Sequence, residues 1–359
     1  MKRSFFHIKN TLAIAIFSSL FVISCKKESP EDPIQNPAGF SNGTFVINEG
    51  AFGSNNASIS FISFSGDLTS DPYFDVNGTP IGDVLQSFTI VDNKGYAVLN
   101  NSQRIDVLDM ITFEHKALIE GFTYPRYFLP VGSEKAYVSD GNLDGTVQIV
   151  NLSTNTITGS IAVGKGPETM MKYGNHVFVC NSGGWATDNT ISVIDVLTDQ
   201  VVQTLVVGDR PVDMCIDYLS NIWVICSGET LYDVDWNVIG HTDASIVRID
   251  ALGLNVIDAF TIGINGDHPR LIESTATQFA ILYENHGVYA INVASPSFPG
   301  VLLIGGNHNG LGVNPWNGEI WTAGPADFIS ASHVRKHDSF GVELGEFTAG
   351  IGANGFAFN

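Results

Sequence analysis

Short runs of alternating apolar and polar residues fill the chain from about residue 43 to its C-terminus. The segments VFVCN, TISVID and VQTLVV are typical, with β-branched or aromatic residues at alternate positions. Gly, Asn, Asp and Pro separate these runs from one another. A period of two, bounded by turn-forming residues, predicts β-strands joined by tight turns. We therefore expect an all-β protein.

The strand pattern recurs as one unit with a period of about 42 residues. Each unit holds three strands, and a Gly-x-x-Pro turn then leads into a fourth apolar segment, as in residues 131–167 and 172–211. The landmark turns lie at Pro80, Pro125, Pro167, Pro211 and Pro269, and more weakly near Gly310 and Gly355. Four strands per unit are typical of a β-propeller blade. The seven landmarks predict a seven-bladed β-propeller; a β-solenoid or a pair of sandwiches is the rival interpretation.

The two ends of the repeat region predict how the ring closes. The segment TFVINEG matches the second strand of a blade, and the C-terminal segment ANGFAFN matches the innermost strand. The C-terminal strand is therefore expected to complete the first blade. Closure of this kind pairs strand edges that would otherwise stay open.

The N-terminal residues read as a lipoprotein signal peptide. Lys2, Arg3 and Lys9 precede an apolar stretch at residues 11–23, which is too short to span a membrane as a helix. The stretch ends in VISC, which resembles a bacterial lipobox. We expect removal of residues 1–24 and acylation of Cys25; an ordinary signal peptide is the alternative.

Residues 25–40 are predicted to be a flexible tether, and residues 41–359 the propeller. The tether holds three prolines and no apolar periodicity. Its first part carries Lys27, Glu28, Glu31 and Asp32, which resemble the acidic, lysine-containing export signal of surface lipoproteins in Bacteroidetes. We therefore expect a protein anchored by lipid alone to the outer membrane and exposed on the cell surface, with the periplasmic face as the alternative.

Composition and charge narrow the class of function. The chain has 359 residues, of which 44% are hydrophobic and only 15% charged. Long charged helices and a disordered chain are therefore disfavoured. The formal net charge of −20 would repel a polyanion, so nucleic-acid binding is not expected.

Three cysteines follow Cys25: Cys180, Cys215 and Cys226. An odd number argues against a disulfide framework. We expect all three to be small buried apolar residues. A bridge between Cys215 and Cys226 is the alternative.

The repeats carry a family resemblance. The segments GKGPETM and TISVIDVLTDQVVQTLVVGDRP resemble the YVTN-type repeats of the YncE-like propellers, and the likeness extends over residues 43–359. The segment FVINEGAFGSNNASISF resembles the opening motif of lipid-anchored YncE-like proteins of Bacteroidetes, a group that includes BtuG-like surface proteins. That resemblance implies capture of cobalamin or another corrinoid for a TonB-dependent outer-membrane transporter. Ferric siderophores, haem and glycans remain alternative ligands, since no ligand-binding motif matches residue by residue.

The strand order predicts which face of the ring holds the functional residues. In an antiparallel blade, the loop between strands two and three lies on the same face as the connection to the next blade. The long loops belong mainly to these two classes, and residues 227–245 form the largest insertion. The candidate ligand-binding residues in them are Phe52, Asn55, Tyr124, Trp185, Tyr232, Trp236, His308 and Phe328. Exposed aromatic side chains provide large contact areas at low entropic cost.

Three arginines beside landmark prolines complete the candidate site: Arg126, Arg210 and Arg270. Guanidinium groups bind carboxylate, phosphate or amide oxygens. The same arginines could instead pair within the protein with Glu168, Asp213 or Asp267. Because the candidates share one face, we favour a binding role.

Two other classes of function remain open. YncE-like repeats resemble those of lactonase-type propellers, which use a metal near the central axis, and a scaffold that binds only protein is the third class. His333 and His337 have HxxxH spacing, but in a strand these positions are roughly 13 Å apart, too far for one ion. We therefore predict a binding protein without a catalytic residue, metal or cofactor.

Overall fold

The computed structural model describes Phe40, residues 42–263 and residues 266–359. These residues form seven four-stranded antiparallel sheets, one two-stranded sheet and one short helix. The predicted signal peptide and the tether up to residue 39 lie outside the described residues, and so does Cys25. Within the described part, no helix is long and apolar enough to cross a membrane.

Strands are numbered in chain order, and each blade is given from its inner to its outer strand. Blade one holds β30 (Ala353–Phe358), β1 (Gly43–Asn48), β2 (Ser58–Ser63) and β3 (Leu68–Thr69). Blade two holds β4 (Leu85–Val91), β5 (Lys94–Leu99), β6 (Arg104–Asp109) and β7 (His115–Glu120). Blade three holds β8 (Pro125–Pro130), β9 (Lys135–Asp140), β10 (Thr146–Asn151) and β11 (Thr156–Ala162). Blade four holds β12 (Pro167–Tyr173), β13 (His176–Asn181), β14 (Thr190–Asp195) and β15 (Gln200–Val206).

The remaining blades follow the same plan. Blade five holds β16 (Pro211–Ile216), β17 (Asn221–Cys226), β20 (Ala244–Asp250) and β21 (Asn255–Gly263). A hairpin inserted in blade five consists of β18 (Thr230–Tyr232) and β19 (Val238–His241). Blade six holds β22 (Ile272–Ser274), β23 (Ala280–Glu284), β24 (Gly287–Asn292) and β25 (Val301–Gly305). Blade seven holds β26 (Gly310–Val313), β27 (Ile320–Ala323), β28 (Ala331–His337) and β29 (Glu343–Ile351).

Apolar packing between neighbouring blades holds the ring together. The described residues contain one buried apolar cluster for each junction between adjacent blades. Phe45 packs with Phe88 between blades one and two, and Val46 lies in one cluster with Trp321 between blades one and seven. The alternating residues of each strand therefore cover two neighbouring blades rather than one central core. Cys180, Cys215 and Cys226 are buried free thiols in these clusters, as predicted.

The C-terminal strand closes the ring as the sequence predicts. Strand β30 pairs antiparallel with β1, and Phe45 lies opposite Ala357. At the edge of the pair, the backbone N–H of Gly43 donates to the carbonyl of Asn359 at 3.0 Å, and the reciprocal bond measures 3.1 Å. The first blade is thus built from both ends of the described chain.

The landmark at Pro80 is wrong by five residues. The inner strand of blade two begins at Leu85, which pairs with Leu99 as Pro125 pairs with Asp140 in blade three. The preceding connection contains helix α1 (Pro72–Asn77), which the strand pattern of the sequence does not predict. Its Asp71 N-cap accepts a hydrogen bond from the backbone N–H of Phe74 at 3.1 Å.

The strand order gives the ring two unlike faces. One is the loop face, formed by the connections between blades and by the loops between second and third strands, including residues 182–189 and 227–243. The opposite, turn face carries mostly shorter turns. In six blades, an Asp or Asn that ends the third strand or directly follows it accepts a hydrogen bond from the backbone N–H two residues later: Asp109, Asn151, Asp195, Asp250, Asn292 and Asp338. These Asx turns account for the tight ends of the blades on the turn face.

Candidate functional site

Arg126 lies at the mouth of the central channel, where inner strand β8 begins. Its Nε is 2.8 Å from Glu168 Oε2, and its Nη1 donates to Gln86 Oε1 at 2.6 Å. The three side chains come from the inner strands of blades two, three and four. Of the two roles considered for Arg126, the structure shows the ion pair with Glu168.

Glu49 joins this region from the loop that follows β1. Asn354 Nδ2 donates to its Oε2 at 3.4 Å. Burial raises the pKa of Glu49, while the positive charges of Arg126 and Arg270 act in the opposite direction. Glu49 belongs to the NEG motif but is not among the ligand-binding residues predicted from the sequence.

Arg270 and His308 lie at the connections on either side of blade six. The exposed Arg270 donates from Nη2 to Asn309 Oδ1 at 3.1 Å. The side chain of His308 is buried, with Nδ1 3.9 Å from Glu284 Oε1. Burial lowers the pKa of His308 to about 4, so the ring is neutral at pH 7. Arg270 therefore presents charge to solvent at this position, and His308 does not.

Two further carboxyl groups lie deeper, on inner strands β16 and β22. Asp213 accepts hydrogen bonds from the backbone N–H groups of Met214 at 2.9 Å and Ile272 at 3.3 Å. Protein atoms surround both Asp213 and Glu273, although each side chain keeps part of its accessible surface. Burial raises the pKa of Asp213 to about 7. Burial, together with the charge of Asp213, raises the pKa of Glu273 to about 8.

The hairpin β18–β19 projects from the loop face of blade five. Tyr232 and Trp236 form a tilted ring pair with centroids 5.9 Å apart. Trp236 has a left-handed backbone, with φ of 63°, in a turn where Asp233 Oδ1 accepts from the N–H of Asn237 at 2.9 Å. Trp236 is 80% exposed, so its indole is available for contact.

Arg210 connects the hairpin to the loop of blade four. Its Nη1 is 3.3 Å from Glu229 Oε2, at the base of the hairpin, and its Nη2 donates to the carbonyl of Gly184 at 3.2 Å. The next residue, Trp185, is 85% exposed. Arg210 thus pairs with a carboxylate that the sequence analysis did not name, and it links the two loops that carry Trp185 and Trp236.

The other predicted residues lie on the same face but at different blades. Phe52 and Asn55 are exposed in the loop of blade one, and Phe328 is exposed in that of blade seven. Tyr124 is half-buried, and its backbone N–H donates to Asp140 Oδ1 at 2.5 Å. All eleven predicted ligand-binding residues therefore lie on the loop face. Ring contact joins Tyr232 to Trp236, and Arg210 links their hairpin to the loop that carries Trp185.

The described ranges contain no group of three or more His, Cys, Asp or Glu residues arranged to bind one metal ion. Two surface grooves are lined by none of the predicted ligand-binding residues. One of about 520 Å³ runs between the outer strands of blades two and three, and one of about 150 Å³ lies between blades seven and one on the turn face. The exposed ligand-binding residues predicted on the loop face are therefore projecting side chains that do not line either groove.

Solved structures share the fold at low sequence identity. A functionally unknown protein from Desulfotomaculum acetoxidans DSM 771 is 15% identical, with a TM-score of 0.63, over 88% of this chain and 98% of that one. A quinonprotein alcohol dehydrogenase-like protein from Bacteroides thetaiotaomicron VPI-5482 is 12% identical, with a TM-score of 0.62, over 87% of this chain and 76% of that one. Hydrazine synthase from Kuenenia stuttgartiensis is 13% identical, with a TM-score of 0.56, over 73% and 85%. These likenesses support the propeller fold alone.

No curated protein matches the sequence. A protein-family model does match, over residues 42–262, which is more than half of the chain. The chain therefore belongs to the family described as a domain of unknown function, DUF5074.

Proposed function

We propose that this protein captures a small molecule on the loop face and passes it to a TonB-dependent outer-membrane transporter. A corrinoid is the favoured ligand because of the resemblance of the opening motif to BtuG-like proteins. Ferric siderophores, haem and glycans are the alternatives. The observation that carries the proposal is the group of exposed aromatic side chains at Trp185, Tyr232 and Trp236 on linked loops.

Aromatic side chains at such positions are suited to a broad, flat ligand. Exposed apolar area on neighbouring loops is more typical of a binding surface than of an inert one. A corrinoid has a wide apolar face for stacking, with amide groups and a phosphate at its edges. Arg270 is exposed and free of a carboxylate contact within hydrogen-bond distance among the described residues, so it is the arginine best placed to meet those oxygens. Arg210, which already pairs with Glu229, would hold the loops of blades four and five in place. Arg126, which pairs with Glu168, would hold neighbouring inner strands together.

The predicted lipid anchor would keep the binding domain close to a transporter in the same membrane. Cys25 would carry the acyl chains, and bacterial lipoproteins carry several, which makes membrane attachment stable. A flexible tether of this length has an average reach of about 20 Å. The domain would therefore stay close to a transporter in the same membrane, where tethering raises the effective ligand concentration.

Isothermal titration of the purified protein with cyanocobalamin tests the proposal. Saturable heat and retention of the coloured ligand on the protein are expected. Absence of both at tens of micromolar protein would reject the corrinoid assignment. Haem, a ferric siderophore and a glycan would then be titrated under the same conditions, and failure of all four would reject small-molecule capture of these classes.

A further inference from the structure

Three polar atoms converge where the blade-five hairpin meets the junction of blades five and six. His268 Nε2 lies 3.3 Å from His241 Nδ1, and Thr230 Oγ1 lies 3.0 Å from the first nitrogen and 3.3 Å from the second. The three atoms form a nearly equilateral triangle. Both imidazole rings are exposed, so an ion can reach it from solvent.

The local structure aims these atoms at one another. Thr230 and His241 are opposite each other in the register of β18 and β19, which places their side chains on one side of the hairpin. His268 comes from the connection between β21 and β22, and its Nδ1 lies 2.8 Å from the carbonyl oxygen of Ser227. A carbonyl only accepts, so this contact requires the proton on Nδ1 and leaves a lone pair on Nε2 facing the triangle.

Gly266 allows this approach of the connection to the hairpin. It has a φ of +92°, and a Cβ there would lie 2.9 Å from His241 Nε2. Any other residue would therefore meet the imidazole ring and disfavoured backbone geometry together. The glycine keeps the two histidines within reach of one ion.

The dimensions of the triangle match tetrahedral coordination. Zinc–imidazole bonds are about 2.0–2.1 Å long, so two nitrogens 3.3 Å apart on one ion subtend about 107° at the metal. Imidazole nitrogen is a preferred donor for zinc, copper and nickel. The hydroxyl of Thr230 is a weaker donor, and solvent would complete the shell.

A carboxylate supports the same site. Glu229 Oε1 is buried and makes no hydrogen bond among the described residues, while Oε2 of the same group contacts Arg210. Glu229 directly precedes Thr230, so a cation bound at Thr230 would offset the cost of burying this oxygen.

We propose that His241, His268 and Thr230 bind a divalent transition-metal ion of the zinc type, which fastens the blade-five hairpin to the ring. The ion would hold Tyr232 and Trp236 in position on the loop face. This site lies off the central axis, and it goes beyond the ligand-capture proposal because it does not depend on what the aromatic residues bind.

Metal titration of the chelator-treated full-length protein tests the site. Zn²⁺ is expected to bind with a dissociation constant in the micromolar range or below, and Co²⁺ to give the visible absorption bands of a tetrahedral nitrogen-ligated ion. His241→Ala and His268→Ala should each weaken Zn²⁺ binding more than tenfold. His286→Ala, which removes an exposed histidine that contacts Asp267, is the matched control and should bind as the wild type does. Equal Zn²⁺ affinity of the wild type and the His241→Ala/His268→Ala double variant would overturn the proposal.

A second measurement separates loss of the site from loss of the fold. Zn²⁺ should slow proteolysis within residues 228–244 in the wild type, and it should have no such effect in either histidine variant. Without metal, the variants and the wild type should melt at similar temperatures, because hydrogen bonds between exposed groups contribute little. Binding of Zn²⁺ without any change in hairpin proteolysis would overturn the fastening role. Failure of cyanocobalamin binding would leave these results unchanged, so the two proposals fail separately.

Discussion

Arg126 and Glu168 occupy the same position in successive repeats, each directly after a landmark proline, and their side chains form an ion pair of 2.8 Å between blades three and four. Equivalent positions on neighbouring inner strands lie side by side at the channel mouth. Opposite charges at that position therefore attract across the blade junction. Gln86, from the inner strand of blade two, extends the network by accepting from Arg126.

Replacement of Arg126 by Ala is expected to destabilise the ring by about 1–3 kcal/mol, because it leaves a largely buried carboxylate without its partner. Glu168 is only 14% exposed. Chemical denaturation would measure the change. Lys116→Ala is the control, since it removes an exposed ion pair with Glu114 and should cost no more than about 0.5 kcal/mol. Equal unfolding free energies for the two variants would contradict a stabilising role for the channel pair.

Ionisation of Glu273 should lower the free energy of unfolding as the pH rises. Its pKa is about 8 in the folded protein against 4.5 for an ordinary glutamate. The folded state therefore binds the proton more tightly than the unfolded state, and the stability gained from this difference is complete below about pH 4.5. It is lost progressively as the pH rises from there through about 8. The cause is the burial of a carboxyl group that becomes charged near another acid, Asp213.

The variant Glu273→Gln tests this directly, since glutamine resembles the protonated acid in size and charge. The variant and the wild type should melt at similar temperatures near pH 5, and the variant should melt several degrees higher near pH 9. Glu120→Gln, at an exposed position of blade two, is the control and should show no such divergence. A constant difference between Glu273→Gln and wild type across this pH range would argue against the raised pKa.

The fold is predictable from the sequence because each blade repeats the same local signals. Pro125, Pro167 and Pro211 each begin an inner strand, as the landmark turns predict. Pro269 lies three residues before the start of β22, and Pro80 departs furthest from the prediction. Blade two has Leu85 at the equivalent position, so the nearest proline, Pro80, gave a false start, and the short helix before it has no apolar period long enough to detect.

The sequence predicts on which face of the ring the candidate site lies, but not which of its residues are in contact. Strand order fixes the end of the ring at which each loop lies, which is enough to place Trp185 and Trp236 together on one side. It does not reveal that Arg210 reaches Glu229, because that pairing depends on how the hairpin folds back. Nor does it reveal the enclosed position of Asp213, since a register shift between Pro211 and Asp213 on β16 decides which residues of that strand face the channel.

Removal of residues 353–359 should destabilise the ring by several kcal/mol, out of a typical total of about 5–15 kcal/mol. The deletion takes away strand β30 and exposes the edge of β1 and the cluster around Trp321. Thermal melting would show the loss. As a control, replacing residues 230–241 with a short turn removes a hairpin outside the blades and should leave the melting temperature nearly unchanged. A truncated protein that melts with the wild type would contradict closure by β30.

Cys25→Ser should abolish acylation and release the protein from membranes, because serine cannot form the thioether that carries the lipid. Cell fractionation would measure it, with Cys215→Ser, a change at a buried propeller cysteine, as the control. Membrane association that survives Cys25→Ser would refute the lipoprotein assignment. Surface exposure needs a separate measurement: protease should digest the protein on intact cells, and protection until lysis would place it in the periplasm.

Aromatic side chains of the hairpin should carry much of the ligand affinity. Truncation of an aromatic side chain that becomes fully buried on binding can weaken the binding free energy by about 2 kcal/mol or more. A loss of about 1.4 kcal/mol corresponds to a factor of ten in affinity. The double variant Tyr232→Ala/Trp236→Ala should therefore weaken cyanocobalamin binding by well over tenfold in isothermal titration. Trp185→Ala should weaken it as well, because Arg210 holds its loop against the base of the hairpin.

The turn face supplies a matched control for these variants. Trp316 is 66% exposed in the turn between β26 and β27, at the opposite end of the ring from Trp236. Trp316→Ala removes the same chemical group with a similar exposure, so it should leave the affinity unchanged. If Tyr232→Ala/Trp236→Ala binds as tightly as Trp316→Ala, the ligand binds elsewhere and the hairpin is not its site. If all of these variants lose affinity equally, the effect lies in the fold rather than in contact with the ligand.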